Sequence, residues 1–192
     1  MIRIAGLLLA PGAGANKDHE GLVAVEEVLQ DKIRVLRVDF PYMIAGKKIP
    51  DKTPVLVDTI CQASKQFALE LGVPLESIAV GGRSMGGRMA SLAVAGGLKT
   101  AGLISISYPL HAPGKPEQKR SEHFPNISVP CLFVSGDRDA FATPEELETA
   151  IRTINGPTKL VFIPKGNHGL KNRHQEAANA VYRVRLTSLD RS

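Results

Sequence analysis

Short apolar runs rich in leucine and β-branched residues alternate along the chain with longer segments whose apolar positions recur at helical spacing. The runs fall at about residues 3–10, 33–39, 77–82, 102–107, 130–136 and 158–163. Four of them, Ile33–Val38, Leu103–Ile106, Leu132–Val134 and Leu160–Ile163, show little polar alternation. Strands covered on both faces have that signature, because neither side of the pleat meets water. The clearest helical pattern, about 53–71, puts Val57, Ile60, Cys61, Ser64, Phe67, Ala68 and Leu71 along one face. Thr53 suits its N-cap, Pro54 its first turn and Gly72 a left-handed C-terminal position, and Pro74 forbids continuation. Thr143-Pro144-Glu145-Glu146 reads as a capping box opening a second helix to about 153. Further helices are predicted at about 18–30, 84–96 and 173–188. This alternation predicts an α/β fold: about six mostly parallel strands with helices on both faces.

Two stretches depart from the rhythm. Met1–Ala10 has one arginine, an apolar run and the small residues Ala13 and Ala15 beyond, in the manner of a secretory leader. The run is short and Pro11 interrupts it, so it is read as a buried strand. From Tyr108 to Pro130, Pro109, Pro113, Gly114, Pro116 and Pro125 exclude a regular helix through most of the segment. Such a loop is either a wall over a site at the carboxyl edge of the sheet or a passive crossover.

Composition narrows the classes. With 192 residues, 43% of them hydrophobic and 22% charged, the chain reads as one globular domain, 1–192, with no separate lid domain. A chain of this length buries about 70% of its unfolded surface and needs no disulfide or structural metal. Cys61 and Cys131 lie in apolar runs without a CxxC or Cys/His cluster, and are expected to be buried, reduced thiols. The net charge of +5 could suit a nucleic-acid partner, but the basic residues are scattered, aromatics make up 5% and Trp is absent. No nucleic-acid partner is expected; a modest preference for anionic substrates is the most this charge supports. No stretch approaches the ~18 apolar residues of a membrane span, so no membrane partner and a cytoplasmic location are expected. Nothing decides between monomer and homodimer.

The chemistry concentrates in Gly82-Arg83-Ser84-Met85-Gly86, a G-x-S-x-G sequence between a predicted strand and a helix of small residues. This is the pattern of a nucleophile elbow, whose turn is so tight that the positions two before and two after the serine must be small. Such a turn pushes the Ser84 hydroxyl out at the end of the sheet beside a helix N-terminus. Serine is a weak nucleophile alone and needs a base oriented by an acid, in the chain order Ser, Asp or Glu, His. Asp137 and Asp139 follow the strand at 130–136, and His168 follows the strand at 158–163. Asp139 is favoured as the acid because the loop must run past the strand end before its carboxylate can turn to the histidine. Asp137 suits an Asx-turn instead. His19 and His174 are read as solvated helix residues; His111 and His123, in the long loop, could line a pocket. A tetrahedral oxyanion needs two donors, for which Met85 N–H and Ala13 N–H in the turn Pro11-Gly12-Ala13-Gly14 are nominated. That turn fits neither GxxxxGK[ST] nor GxGxxG, so no nucleotide cofactor is expected.

The elbow, the ordered trio and the glycine-rich turn resemble the α/β-hydrolase superfamily across nearly the whole chain, in a short form without its first two strands. More narrowly, Pro11-Gly12-Ala13-Gly14, Gly82-Arg83-Ser84-Met85-Gly86-Gly87, Tyr108-Pro109-Leu110-His111 and Gly166-Asn167-His168 resemble a dienelactone-hydrolase-like branch. That branch includes small bacterial proteins, an animal testis-expressed hydrolase-like protein and the hydrolase-like domain of a histone acetyltransferase complex subunit. Pro11 departs from the pattern, since relatives with this turn commonly carry histidine. The resemblance implies Ser84, Asp139 and His168 as a catalytic triad, with Ala13 and Met85 at the oxyanion hole.

The expectation is a serine hydrolase of esters or similar small acyl substrates, of carboxylesterase or thioesterase type, without cofactor or metal. The rival is a non-catalytic scaffold or binding protein that keeps the fold; some animal members of the branch act as parts of assemblies. Retention of all three residues argues against the rival, and serine at the elbow argues against carboxylate-nucleophile chemistry such as dehalogenation. Arg83 is expected either to meet an anionic group or to pair with a carboxylate such as Asp39.

Overall fold

Leu7, Leu8 and Leu9 are all fully buried, which three consecutive strand residues achieve only when both faces of the sheet are covered. In the computed structural model, which describes residues 4–184, they belong to β1 (Gly6–Ala10). The other strands are β2 (Arg34–Arg37), β3 (Ile78–Arg83), β4 (Gly102–Ile106), β5 (Cys131–Gly136) and β6 (Thr158–Ile163). All six are parallel, in the order β2-β1-β3-β4-β5-β6. The helices are α1 (Glu20–Leu29), α2 (Pro41–Ile44), α3 (Thr53–Leu71), α4 (Met85–Ala95), α5 (Pro144–Ile151) and α6 (His174–Val184). The start of the first predicted strand at residue 3 and the end of the last predicted helix at 185–188 lie outside the described residues.

The pleat sorts side chains into two cores. Leu8, Val80, Leu103 and Phe133 pack with Ile60 of α3, Met89 of α4 and Leu147 of α5. Their neighbours Leu7, Leu9, Ala79, Ile104 and Leu132 pack on the opposite face with Val25 of α1 and Val181 of α6. Each fully buried Leu or Phe contributes roughly 1.5–3 kcal/mol, so the central strands carry most of the cohesion. The edges differ from expectation. Arg34 is exposed and Val35, Leu36 and Arg37 are half-buried, because β2 is an edge strand with one side unpaired. Its charges suit that place: the Arg37 guanidinium donates to Glu26 at 2.6 Å and Asp18 at 2.8 Å, and charge on an edge discourages pairing with other chains. At the other edge Leu160, Val161 and Phe162 are likewise only half-buried.

Capping chemistry sets the helix ends. The Thr143 hydroxyl accepts from Glu146 N–H while Glu146 accepts from Thr143 N–H, a complete capping box. Gly72 takes φ 65°, ψ 33° to end α3. The N-cap of α3 is Lys52 rather than Thr53, which is the first helical residue. The one-turn α2 has no signature beyond Pro41, and sequence reading missed it. Cys131 is buried as expected, whereas Cys61 is half-buried.

The stretch from Tyr108 to Pro130 forms no α-helix, yet it is far from passive. Tyr108, Leu110, Phe124 and Ile127 are buried in the core on the α3–α4–α5 side. The Tyr108, Phe124 and Phe133 rings meet at tilted or edge-on angles, centroids 5.2 to 5.8 Å apart. The Tyr108 hydroxyl donates to Arg120 O at 2.7 Å. His123 Nε2 lies 2.7 Å from Ser91 Oγ on α4. Burial, aided by the charge of Arg88, pushes the His123 imidazole down to about 4.

Register brings the strand ends level: Ala10 pairs with Gly82, Arg83 with Ile106, and Gly136 with Ile163. The end of β5 touches the loop after β6: a Cβ on Gly136 would stand 2.2 Å from Gly166 O.

Gly136→Ala is therefore expected to lower the unfolding free energy by about 1–3 kcal/mol, read from urea titration. His123 generates a pH effect. An unfolded imidazole gains its proton near 6.5, whereas the folded one resists until about 4, so the unfolded state binds more protons across that window. Stability is full above about 6.5 and falls as pH drops toward about 4; Tm measured across this range should fall less steeply in His123→Gln. His19 and His174, also held low chiefly by burial, leave a residual slope.

Candidate active site

The turn from β3 into α4 has no room for side chains. A Cβ on Gly82 would sit 2.2 Å from Ala10 O, and one on Gly86 would sit 2.1 Å from the same oxygen. Between them Ser84 adopts φ 50°, ψ −117°, a conformation disfavoured for a residue with a Cβ and sustained by the packing around it. Ser84 N–H donates to Ile106 O at 2.8 Å, which ties the turn to the end of β4. The half-buried hydroxyl is thereby lifted off the sheet end.

Two loops bring partners to it. Ser84 Oγ lies 2.8 Å from His168 Nε2. His168 Nδ1 lies 2.8 Å from Asp139 Oδ2 and 3.0 Å from Oδ1. A carboxylate only accepts, so Nδ1 carries the hydrogen and the Nε2 lone pair faces the serine hydroxyl. The Asp139 side chain is fully buried while the imidazole is 18% exposed. Asp139 Oδ1 also accepts Phe141 N–H at 2.8 Å, and Ser135 Oγ stands 3.5 Å from Oδ2. Both oxygens of the buried carboxylate thus have hydrogen-bond partners. The Phe141 ring lies on the imidazole at 3.9 Å between centroids and 23° between planes, fixing the remaining freedom of the ring. Asp137 is exposed, and the aspartate that forms an Asx-turn is Asp139 itself, through Phe141 N–H.

The glycine-rich turn after β1 abuts the serine. A Cβ on Gly12 would lie 3.4 Å from Ser84 Cβ. Gly14 N–H donates to the Tyr42 hydroxyl at 3.1 Å and Ala15 N–H to Gly12 O at 3.2 Å, so both are engaged in holding the turn. Ala13 is exposed on its outer side. Met85 is the first residue of α4, where an N–H has no acceptor within the helix.

Other expectations need correction. Arg83 does not meet Asp39, whose Oδ1 accepts Lys17 N–H at 2.6 Å; its Nη2 donates to His168 O at 3.1 Å. His111 is buried, with Nδ1 2.8 Å from Ala112 O and Nε2 3.0 Å from Glu146 Oε2. His111 and His123 thus serve the packing of the long loop rather than lining a pocket at Ser84. That loop reaches the site indirectly, through His111 N–H donating to Phe141 O at 3.1 Å. His19 and His174 are half-buried rather than solvated: His19 caps α1 by accepting Gly21 N–H, and the two rings meet edge to face at 5.4 Å. Sequence reading missed Phe141 and Tyr42; the first lay two residues past the acid, where an aromatic residue could have drawn notice, and the second had no signal.

Among the described residues no group of three or more His, Cys, Asp or Glu side chains is arranged to hold a metal ion, and no helix is long and apolar enough to cross a membrane.

Comparison with known proteins agrees with this architecture. A profile described as an alpha/beta hydrolase domain matches residues 3–186. Est1E from Butyrivibrio proteoclasticus, solved with ferulic acid bound, superposes with a TM-score of 0.80 at 18% identity, over 100% of this chain and 92% of that one. XC6422 from Xanthomonas campestris, described as a serine hydrolase without a lid, gives 0.77 at 18% identity, over 100% and 85%. A dienelactone hydrolase from Anabaena variabilis gives 0.70 at 19% identity, over 94% and 87%. At such identities the likeness speaks for the fold, while the profile spans nearly every residue. The chain belongs to the α/β-hydrolase domain family.

Proposed function

We propose that the chain is a serine hydrolase that cleaves esters or related acyl compounds through an acyl-enzyme on Ser84, with His168 as base and Asp139 as orienting acid. The observation that carries this reading is the continuous hydrogen-bonded chain from Ser84 Oγ through His168 to Asp139, with links of 2.8 Å and 2.8 Å.

In this reading Ser84 Oγ attacks the acyl carbonyl as its proton passes to His168 Nε2. Asp139 holds the Nδ1–H and stabilises the imidazolium that forms. Negative charge gathers on the former carbonyl oxygen, where Met85 N–H, at the start of α4, and Ala13 N–H serve as donors. The Nε2 proton then passes to the departing alkoxide or thiolate, and the C–O or C–S bond breaks. Water attacks the acyl-Ser84 ester, giving its proton to Nε2, and the carboxylic acid product leaves as Ser84 recovers a proton. Side chains and backbone supply every step, and no cofactor enters the reading.

The exposed residues Ala13, Ala140 and Asn167 around the site suit a small substrate or an acyl group carried on a polymer. The ferulic acid bound to Est1E offers aromatic acyl esters as a first class to assay. Monomer and homodimer both fit this chemistry.

On p-nitrophenyl esters and matched thioesters, Ser84→Ala is expected to lower kcat by about three to six orders of magnitude. Turnover unchanged in that variant would remove the reading and leave the scaffold alternative. Asp139→Asn should lower kcat by about 10⁴, as loss of an orienting carboxylate does when the histidine takes the wrong tautomer. The exposed Asp137→Asn should stay within about twofold of the unaltered chain. The reverse ranking would transfer the acid's role to Asp137.

A further inference from the structure

Arg83 is the last residue of β3, immediately before the serine, and its side chain runs toward the α1–α6 face of the sheet. Its guanidinium occupies the space between two loops that the proposed chemistry must hold in register. On one side Nη2 donates to the main-chain oxygen of His168 at 3.1 Å. On the other, Nη1 rests against the turn after β1, where a Cβ on Gly12 would come within 2.9 Å of it. The absence of a side chain at Gly12 is what lets the guanidinium lie there. Nε is buried without a hydrogen-bond partner, and among the described residues no carboxylate forms an ion pair with Arg83. Leaving a buried polar group unpaired costs about 1–3 kcal/mol, so this side chain is not accounted for by its contribution to stability alone.

The surroundings explain how a cation persists there. The His19 and His174 rings, at the starts of α1 and α6, meet at 5.4 Å on the same side of the sheet. Both are held below the ordinary imidazole range, first by burial, with the Arg83 charge adding to it. Glu20 opposes that shift in both. Neutral imidazoles leave Arg83 as the cation of this cluster; burial pulls its guanidinium below the ordinary range, and the Asp139 carboxylate opposes that shift.

We infer that Arg83 is a positioning residue: its planar guanidinium braces the His168 main chain against the Gly12 turn and so fixes the base relative to the serine and to the donor in that turn. Lysine, a point charge on a flexible stem, could keep one of these contacts but not span both. The inference rests on the hydrolase reading for its effect on rate, but not for its effect on the imidazole.

Two readouts separate them. The first is the rate at which a fluorophosphonate labels Ser84, with kcat and KM on a p-nitrophenyl ester. The second is the imidazole N–H resonance of His168 hydrogen-bonded to Asp139, followed by NMR in chains with ¹⁵N-labelled histidine. In Arg83→Met, labelling and kcat should fall roughly 10- to 100-fold with KM within about threefold, as expected for a misplaced base. The His168 resonance should broaden or vanish, and Arg83→Lys should recover only part of both. Arg83→Gln, which keeps a polar group but is too short to span both loops, takes the place of the methionine variant if that chain does not fold. Labelling, kcat and resonance all unchanged in a folded variant would overturn the inference. An unaltered chain that resists the phosphonate while the resonance still depends on Arg83 would sink the hydrolase reading and keep the brace. Resistance together with an Arg83-independent resonance would sink both.

Discussion

The carbonyl oxygen of Ala10 stands where a Cβ on either Gly82 or Gly86 would have to go, at 2.2 and 2.1 Å. This close approach of backbones governs the geometry around the site. It brings the end of β1 against the start of α4, so the Gly12 turn lies beside Ser84. It also forces Ser84 into its positive-φ conformation, which lifts the hydroxyl away from the sheet. Glycine at both positions is thus a steric requirement of the turn.

A matching contact organises the other half of the site. Gly136, the last residue of β5, touches Gly166 in the loop after β6, and Arg138 N–H donates to Gly166 O at 2.8 Å. The loops bearing Asp139 and His168 are therefore tied to each other before their side chains meet. The pair that results is asymmetric in its surroundings. The carboxylate is enclosed and bonded on several sides, whereas the imidazole keeps one edge toward Ser84 and solvent. Such an arrangement fixes the carboxylate in place while leaving Nε2 of the imidazole facing the serine hydroxyl. Ser91 and His123 make an instructive contrast. Their atoms are as close, at 2.7 Å, but Ser91 is fully buried and burial holds His123 at about 4, so the pair serves packing.

Much of this was legible in the sequence because it follows from local rules. Apolar runs marked all six strands, although of the four read as covered on both faces only those in β4 and β5 are so, and Thr143-Pro144 and Gly72 marked helix ends. The glycine spacing around Ser84 marked the elbow, since its demand for small residues is local. Features set by the tertiary arrangement were harder to read. The apolar positions of Ile33–Val38 read as covered on both faces, and only its two arginines fit the edge place that leaves its residues exposed or half-buried. The hold of Tyr42 on the Gly12–Ala15 turn joins residues 28 apart through a helix too short to show periodicity. Arg83 reaches the carbonyl of a residue 85 positions away, which no spacing rule anticipates. The two aspartates after β5 could be ranked by loop length, but that the favoured one would make both the histidine contact and the Asx-turn depends on the path of the loop.

The central claim is that one hydroxyl in this chain, that of Ser84, is made nucleophilic by its neighbours. The most direct measurement is to expose the folded protein to a fluorophosphonate, weigh it intact and map the modified peptide by mass spectrometry. The account predicts one adduct per chain, on Ser84, with Ser91 untouched as an internal reference. A chain that gains no adduct, or gains it on a serine other than Ser84, would contradict it.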